Sequence, residues 1–178
     1  TREWGAWAEY EDLSKGFRAD LGFIPRVDTQ GGEVGLQHNW WSDGGSWFTR
    51  MNAGVEVSRV EDHAGLLTDQ KAALYLNYEG PLQSSGMLQL YRVKEHFDGV
   101  TYDLNHGFYF FNVRPTGDIT CSIHVRSGDA IDYENSRKAR KLSGGPEGTL
   151  NVGRHLAFAM EHEFEQLDVD GGRLYRAN

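Results

Sequence analysis

The stretch Lys15 to Asp28, KGFRADLGFIPRVD, poses the question on which the fold turns. Phe17, Ala19, Leu21 and Phe23 are apolar, and Arg18, Asp20 and Gly22 stand between them. Successive side chains on a strand point to opposite faces, so this spacing predicts a strand with one apolar and one charged side. The strand runs into Pro25, and Arg26 and Asp28 follow. In a soluble sandwich the apolar side would cover a core; in a membrane barrel it would meet lipid.

The alternation recurs along the chain. Trp4, Ala6, Ala8 and Tyr10 stand against Trp7 and Glu9, and Val34, Leu36, His38 and Trp40 against Glu33, Gln37 and Asn39. Trp47 to Ser58 places Met51, Ala53, Val55 and Val57 opposite Arg50, Asn52 and Glu56. Lys71 to Glu79 sets Ala72, Leu74, Leu76 and Tyr78 against Lys71, Tyr75 and Asn77. Further on, Tyr102, Leu104, His106, Phe108 and Phe110 alternate with Asp103, Asn105 and Tyr109. Ile119, Cys121, Ile123 and Val125 alternate with Thr120, Ser122, His124 and Arg126. A single strand is expected over Leu150 to Met160, where Arg154 falls on the apolar side unless it lies near a rim or a bulge shifts the register. Between these runs stand turn sequences such as DTQGGE, SDGGS, FDG and RPTGD, suited to antiparallel hairpins. Segment 129–147 is expected to hold a short strand through AIDYEN and then an exposed loop containing RKARK.

The reading is an all-β chain, an antiparallel up-and-down meander of about ten strands, forming part of an outer-membrane-type β-barrel. Expected strand lengths of about 8–12 residues exceed the usual globular 5–6 and suit the ~9–11 residues of a membrane crossing. The polar faces mix both charge signs with amides, Gly and Tyr, as a wet lumen allows. Aromatic residues recur near strand ends (Trp4, Tyr10, Phe23, Trp40, Trp47, Tyr78, Tyr102, Phe110), as in interfacial girdles. If the barrel reading holds, Ile119, Cys121, Ile123 and Val125 are exposed in the protein alone. Thr120, Ser122, His124 and Arg126 then point inward, near charges such as Asp103. A sandwich reverses this exposure.

The chain has 178 residues and a net charge of −8, which disfavours nucleic acid as a partner because phosphate recognition needs a basic surface. Cys121 is the only cysteine, so the sequence holds no internal disulfide and no multi-cysteine metal site. The seven histidines are scattered without metal-ligand spacing, and no metal or cofactor is expected. The chain starts at Thr1 and ends in GRLYRAN, and it reads as a single partial domain, 1–178, of a longer protein.

Three stretches could carry chemistry. Glu161, Glu163 and Glu165 share one strand face, yet three like charges at that spacing suit a solvated rim better than a hydrolase pair. DVDGG (168–172) lacks the ligands of a calcium loop and reads as a hairpin turn. Trp40, Trp41 and Trp47 flank a Gly-rich turn and could stack on a sugar ring. With Arg26 and Asp28 they are the candidate ligand-binding residues; no catalytic residue is assigned.

FRADLGFIPRVD (Phe17 to Asp28), followed by LQHNWW, resembles a motif of a bacterial domain of unknown function, the family numbered five-nine-one-six. GDAIDYENSR (Gly128 to Arg137) and the chain from Gly153 to Asn178 resemble later stretches of the same domain. The resemblance implies a barrel-like domain in the bacterial outer membrane, preceded in the full chain by a sugar-binding domain like a family-nine carbohydrate-binding module. It implies no catalytic residues. The expected function is a structural, anchoring or transport-related barrel segment connected with glycan handling, with lipid, carbohydrate and the N-terminal domain as partners. A soluble all-β carbohydrate-binding module and a glycoside hydrolase are the alternatives.

Overall fold

The computed structural model describes residues 3–18, 26–170 and 172–177. It is one antiparallel sheet of eleven strands with no helix among the described residues. The strands are β1 (Trp4–Leu13), β2 (Thr29–Trp41), β3 (Arg50–Asp62), β4 (Leu67–Gly80), β5 (Ser84–Phe97) and β6 (Val100–Val113). They continue with β7 (Ile119–Asp132), β8 (Arg137–Val152), β9 (Leu156–Glu161), β10 (Phe164–Val169) and β11 (Gly172–Ala177). Each of β1 to β7 pairs with the next strand, the up-and-down order expected of short connections. β9 and β10 lie along the same edge of β8, one on each half of it, and together act as one interrupted strand in the ninth position of the sheet. The sheet is open: β1 pairs only with β2 and β11 only with β10 among the described residues.

The turn chemistry is local. β5 and β6 are joined by Asp98 and Gly99 alone, and both have positive φ (50° and 77°), the combination a two-residue type I′ hairpin requires. At the other end of the sheet Gly153 (φ 64°) opens the three-residue turn between β8 and β9. That turn divides the run Leu150 to Met160 into two strands and puts Arg154 at the rim, outside any apolar row.

Following the register across the sheet assigns every strand's faces. Val34, Leu36, Val55, Val57, Leu74, Leu76, Leu88 and Leu90 share one face, and each is exposed. Glu33, Glu56, Lys71 and Tyr75 share the other. The exposures run opposite to those of a water-soluble sheet: Val34, Leu74 and Leu90 are 51%, 55% and 50% exposed, while the Glu56 and Lys71 side chains are 20% and 33% exposed. A single sheet shelters one side only by curving towards it, so the polar face is the concave one.

The total surface agrees. A compact monomer of this mass would expose about 8,700 Å², whereas this chain exposes 12199 Å². Among the described residues no second layer covers the aliphatic face. The largest buried apolar group is small: Tyr102, Leu104 and Ile131, with Val93 and Phe97 packed against them.

Three sequence expectations are corrected. The RKARK run is not in a loop but inside β8, a strand of 16 residues. Arg137, Lys138 and Lys141 pair with acids on neighbouring strands, so the strand continues without apolar alternation. In β6 the faces are reversed: Tyr102, Leu104, His106 and Phe108 lie on the polar side, opposite Glu95, Val93, Tyr91 and Gln89. Aromatic residues on both faces of FYFF erase the phase that alternation normally supplies. Asp103 therefore sits on the apolar side, away from Arg126, whose neighbour is Phe108. Trp47 precedes β3 and lies in the connection 42–49. Of the opening stretch, residues 19–25 fall outside the described residues; Lys15 and Gly16 form a turn, and Phe17 and Arg18 are not in a strand.

Candidate functional site

The concave face is built from strands that each contribute one or two polar side chains at matching height. Lys71 on β4 reaches across β3 to pair with Glu56 and, at 3.4 Å, with Glu33 on β2. Trp7 Nε1 donates to Glu33 Oε1 at 3.3 Å. One row on, Tyr75 Oη donates to Gln37 Oε1 at 3.1 Å, and then Asn77 Nδ2 to Asn52 Oδ1 at 2.8 Å. The rings lie along the sheet because glycines make room. Trp7 covers Gly35 and Tyr75 covers Gly54, so closely that a methyl group on either glycine would overlap the ring. Aromatic coverage of a strand glycine restores packing the missing side chain would have given.

The network continues over β5 to β10. Tyr91 stacks on His106 with centroids 5.0 Å apart, and the Arg126 guanidinium lies 5.2 Å from the Phe108 ring. His124 Nε2 is 3.0 Å from Glu163, and Lys141 Nζ 2.6 Å from Glu165. Glu163 and Glu165 therefore each face a basic group rather than one another. A cleft of about 370 Å³ opens here between His106, Arg126, Tyr133, Lys141 and Glu165. Chemically this face is a wetted wall of paired charges and amides. It suits lining a polar passage; its converging carboxylates, Glu33 and Glu56, are joined through Lys71.

The two ends of the strands differ. At one end Trp4, His38 and Trp40 form an aromatic cluster on the apolar side, with centroids 4.5 and 4.6 Å apart. Trp47 stacks on Tyr78 at 5.6 Å, and Tyr78 Oη donates to the Trp47 carbonyl. Trp41, across β2 from these, is on the polar side beneath the Arg50 guanidinium at 5.1 Å. At the other end Arg26 pairs with Asp69 at 2.7 Å. There His63 also bridges Asp28 (2.9 Å) and Asp12 (3.0 Å). These two hydrogen bonds, Asp12's first, raise the His63 pKa above its ordinary 6.5.

The sequence-derived candidates are thus not brought together. Asp28 and Trp40 are separated by the length of β2, about 40 Å at the rise of a strand. Trp40 and Trp41 face opposite sides, as neighbours on a strand must. Arg26 and Asp28 tie the β1–β2 connection to the β3–β4 end of the sheet, and Trp40 and Trp47 belong to an aromatic rim. The polar triad Glu33, Glu56 and Lys71 was visible as three polar-face residues, but only the register shows that Lys71 serves both glutamates and that Arg50 pairs with Glu79 at 3.7 Å.

DVDGG joins β10 to β11 as a hairpin, with Val169 opposite Gly172. The chain matches no protein-family profile, no curated protein and no solved structure.

Proposed function

We propose that the chain is a segment of an outer-membrane-type β-barrel, lipid on its aliphatic face and water on its polar face, with an anchoring or transport-related role. The observation that carries this reading is the inverted exposure: aliphatic rows stand open while charged rows are sheltered and paired. In water that arrangement leaves hydrophobic stabilisation unused across a whole sheet face. In a bilayer it is the stable one.

Strand length supports it. A strand of 13 or 14 residues, such as β3 or β4, is roughly 45 Å long. At the ~40° tilt of a barrel strand it rises about 34 Å, enough to cross the ~25 Å apolar band and enter the headgroups on both sides. The aromatic cluster at one end fits an interfacial girdle.

The proposal extends to membership of the domain family that the sequence resembles, to a place in the bacterial outer membrane and to a sugar-binding domain earlier in the full chain. Connection with glycan handling rests on that resemblance. A soluble binding module draws no support from tryptophans split between two faces, and a hydrolase none from glutamates held by basic partners.

Cys121 provides the test, because it is the single cysteine, is exposed, and lies on the apolar face opposite Val113 and Gly148. A bimane label there, in the full-length protein reconstituted into vesicles, is expected to be quenched by nitroxide lipids and shielded from aqueous iodide. A label on Ser122→Cys in a Cys121→Ser background should show the reverse. Equal access of iodide to Cys121 in vesicles and in detergent-free buffer would overturn the reading.

A further inference from the structure

We propose that the polar face makes its passage selective for cations over anions: its strands hold more carboxylates than they can pair, and mobile cations supply the missing charge. This rests on the reading of that face as the wet wall of a passage across a membrane. The register sets the acids in rows. At the end away from the aromatic cluster one row runs through Glu11, Gly31, Val60, Asp69 and Glu95. At the aromatic end another runs from Arg50 and Glu79 through Ser85, Asn112 and Ser122 to Glu147 and Glu161. Along β4 the rows lie about 33 Å apart. Glu9, Glu33, Glu56 and Glu165 stand between them, and Glu163 faces His124 at 3.0 Å.

Pairing consumes part of this charge. Lys71 serves Glu33 and Glu56, Arg26 serves Asp69, Arg50 serves Glu79 and Lys141 serves Glu165. Glu9, Glu11, Glu95, Glu147, Glu161 and Glu163 have no Lys or Arg at ion-pair distance among the described residues. Arg126 belongs to this face, and Arg176 stands opposite Glu165 in the register. Eleven carboxylates thus stand against six cations, an excess of five with histidines neutral. The strand ends beside the cleft hold Asp129, Asp132 and Asp168 against Arg137, Lys138, Arg140 and Arg173, and counting all of them leaves an excess of four. The turns add no countercharge. Those at the Glu11 end carry Asp98, Glu134 and Asp170 against Lys15 and Arg18, and those at the aromatic end Asp43 and Asp118 against Arg114 and Arg154.

The arrangement of the excess selects the ligand. Glu9 stands directly opposite Glu33, and Glu147 directly opposite Glu161. Like charges so placed repel and destabilise the pair of strands unless countercharge comes from elsewhere. Beside Glu147 and Glu161 a cavity of about 430 Å³ is lined by Asn112, Thr120, Ser122 and Thr149, with no basic residue among its lining. Amide, hydroxyl and carboxylate oxygens are the ligands a hydrated metal cation accepts. Unpaired acids stand in both end rows, so an ion entering from either side meets them first. A wall of one sign around a confined aqueous space sets up a potential of several kT, which gathers cations and excludes anions, as carboxylate rings do in cation channels.

The experiment measures the reversal potential of the full-length protein in planar phosphatidylcholine bilayers across a KCl gradient, while bimane on Cys121 in vesicles of the same lipid reports insertion. A single kT of wall potential changes cation and anion concentrations about threefold each, so the wild type should pass potassium over chloride by about sevenfold or more in dilute salt. The ratio should fall towards one near ~1 M salt, where the Debye length is about 3 Å. Glu147→Gln with Glu161→Gln should lower it, and adding Glu11→Gln and Glu95→Gln should bring it close to one. Asp103→Asn, on the aliphatic side, should leave it unchanged. Should the fourfold variant fold poorly, the decline of the wild-type ratio with rising salt carries the same information. A shielded label with no conductance, with a ratio at or below one, or with a ratio that survives the fourfold variant or high salt, overturns cation selectivity and leaves the barrel reading standing. A label open to iodide in the vesicles removes both.

Discussion

Gly35→Ala is expected to be among the most damaging single-methyl additions in the chain, and Trp7 is the reason. Trp7 and Gly35 are directly opposite on β1 and β2, and the indole lies over the glycine so that an added Cβ would fall within the ring carbons. The backbone of Gly35 has no positive φ, so the substitution brings no backbone strain and isolates the packing term. Two effects remain. Overpacking of a fitted contact costs about 1–3 kcal/mol. Displacing the indole also breaks its hydrogen bond to Glu33, worth roughly 1 kcal/mol. The sum is about 2–4 kcal/mol, partly offset by the lower flexibility of Ala in the unfolded chain, about 0.4–1 kcal/mol. A net loss of about 1.5–3 kcal/mol follows. The assay is urea unfolding of the vesicle-reconstituted protein followed by tryptophan fluorescence or by gel mobility without boiling. In a Trp7→Leu background the same Gly35→Ala change should cost under about 0.5 kcal/mol or stabilise, because the ring is gone. Equal losses in both backgrounds would show that the ring does not occupy the glycine's space, and the account of this face as a set of aromatic-covered glycines would be refuted.

Lys71→Met leaves Glu33 on β2 and Glu56 on the adjacent β3 side by side without their shared cation, and should cost about 1–3 kcal/mol; adding Glu56→Gln should recover part of it in a double-mutant cycle. Leu74→Arg, in the middle of the apolar rows, should cost about 2–4 kcal/mol in a bilayer, while Leu156→Arg, beside the β8–β9 turn, should cost about 0–1; equal penalties would contradict the placement of lipid. For His63 the folded pKa is raised, so its pairs with Asp12 and Asp28 contribute fully below the unfolded value near 6.5 and are lost as pH rises through the folded one. The unfolding midpoint should therefore fall as pH rises above about 6.5 and through the raised folded value in the wild type, and lose that component in His63→Asn, whereas an unchanged profile would mean the bridge does not form.

The strands β2 to β4 were legible because each crosses an apolar band on one face and a polar network on the other, so the period of two is written in the residues. Where that contrast fails, the sequence is silent for a physical reason. Residues 137–141 sit outside the band, where both faces are polar, and no alternation marks the strand. β6 fails in the opposite way, with aromatic residues on both faces, and its phase comes only from pairing with β5. The turn at Gly153 was masked because apolar residues flank it on both sides. The ligand candidates were chosen by residue type, which cannot report that the two ends of β2 are about 40 Å apart. Lys71 was visible on the polar face, but its service to two glutamates depends on which row of β3 stands beside it.

The physical link between fold and function lies in what the sheet lacks. A sheet face of Val, Leu and Ile normally recruits a second layer, because covering each such side chain contributes about 1.5–3 kcal/mol. Eight of these residues stand exposed on β2 to β5 alone, so an omitted layer forgoes on the order of 10–20 kcal/mol, as large as the net stability of a whole domain. Something apolar must therefore supply that term if the sheet is to persist. A partner protein would need a broad complementary apolar surface across at least four strands, and it would have to end where the cations begin. On the proposed barrel reading a bilayer meets both conditions at once: its hydrocarbon would cover the rows from Met51 to Val57 and from Ala72 to Tyr78, and its headgroups would begin where Arg59 and Arg92 replace the aliphatics. The same reading accounts for the other face, where Lys71, Glu33 and Glu56 are paired with one another and still within reach of water rather than fully desolvated. On that reading the apolar rows and the aromatic rim at their end are one feature, a surface matched in height and polarity to a membrane.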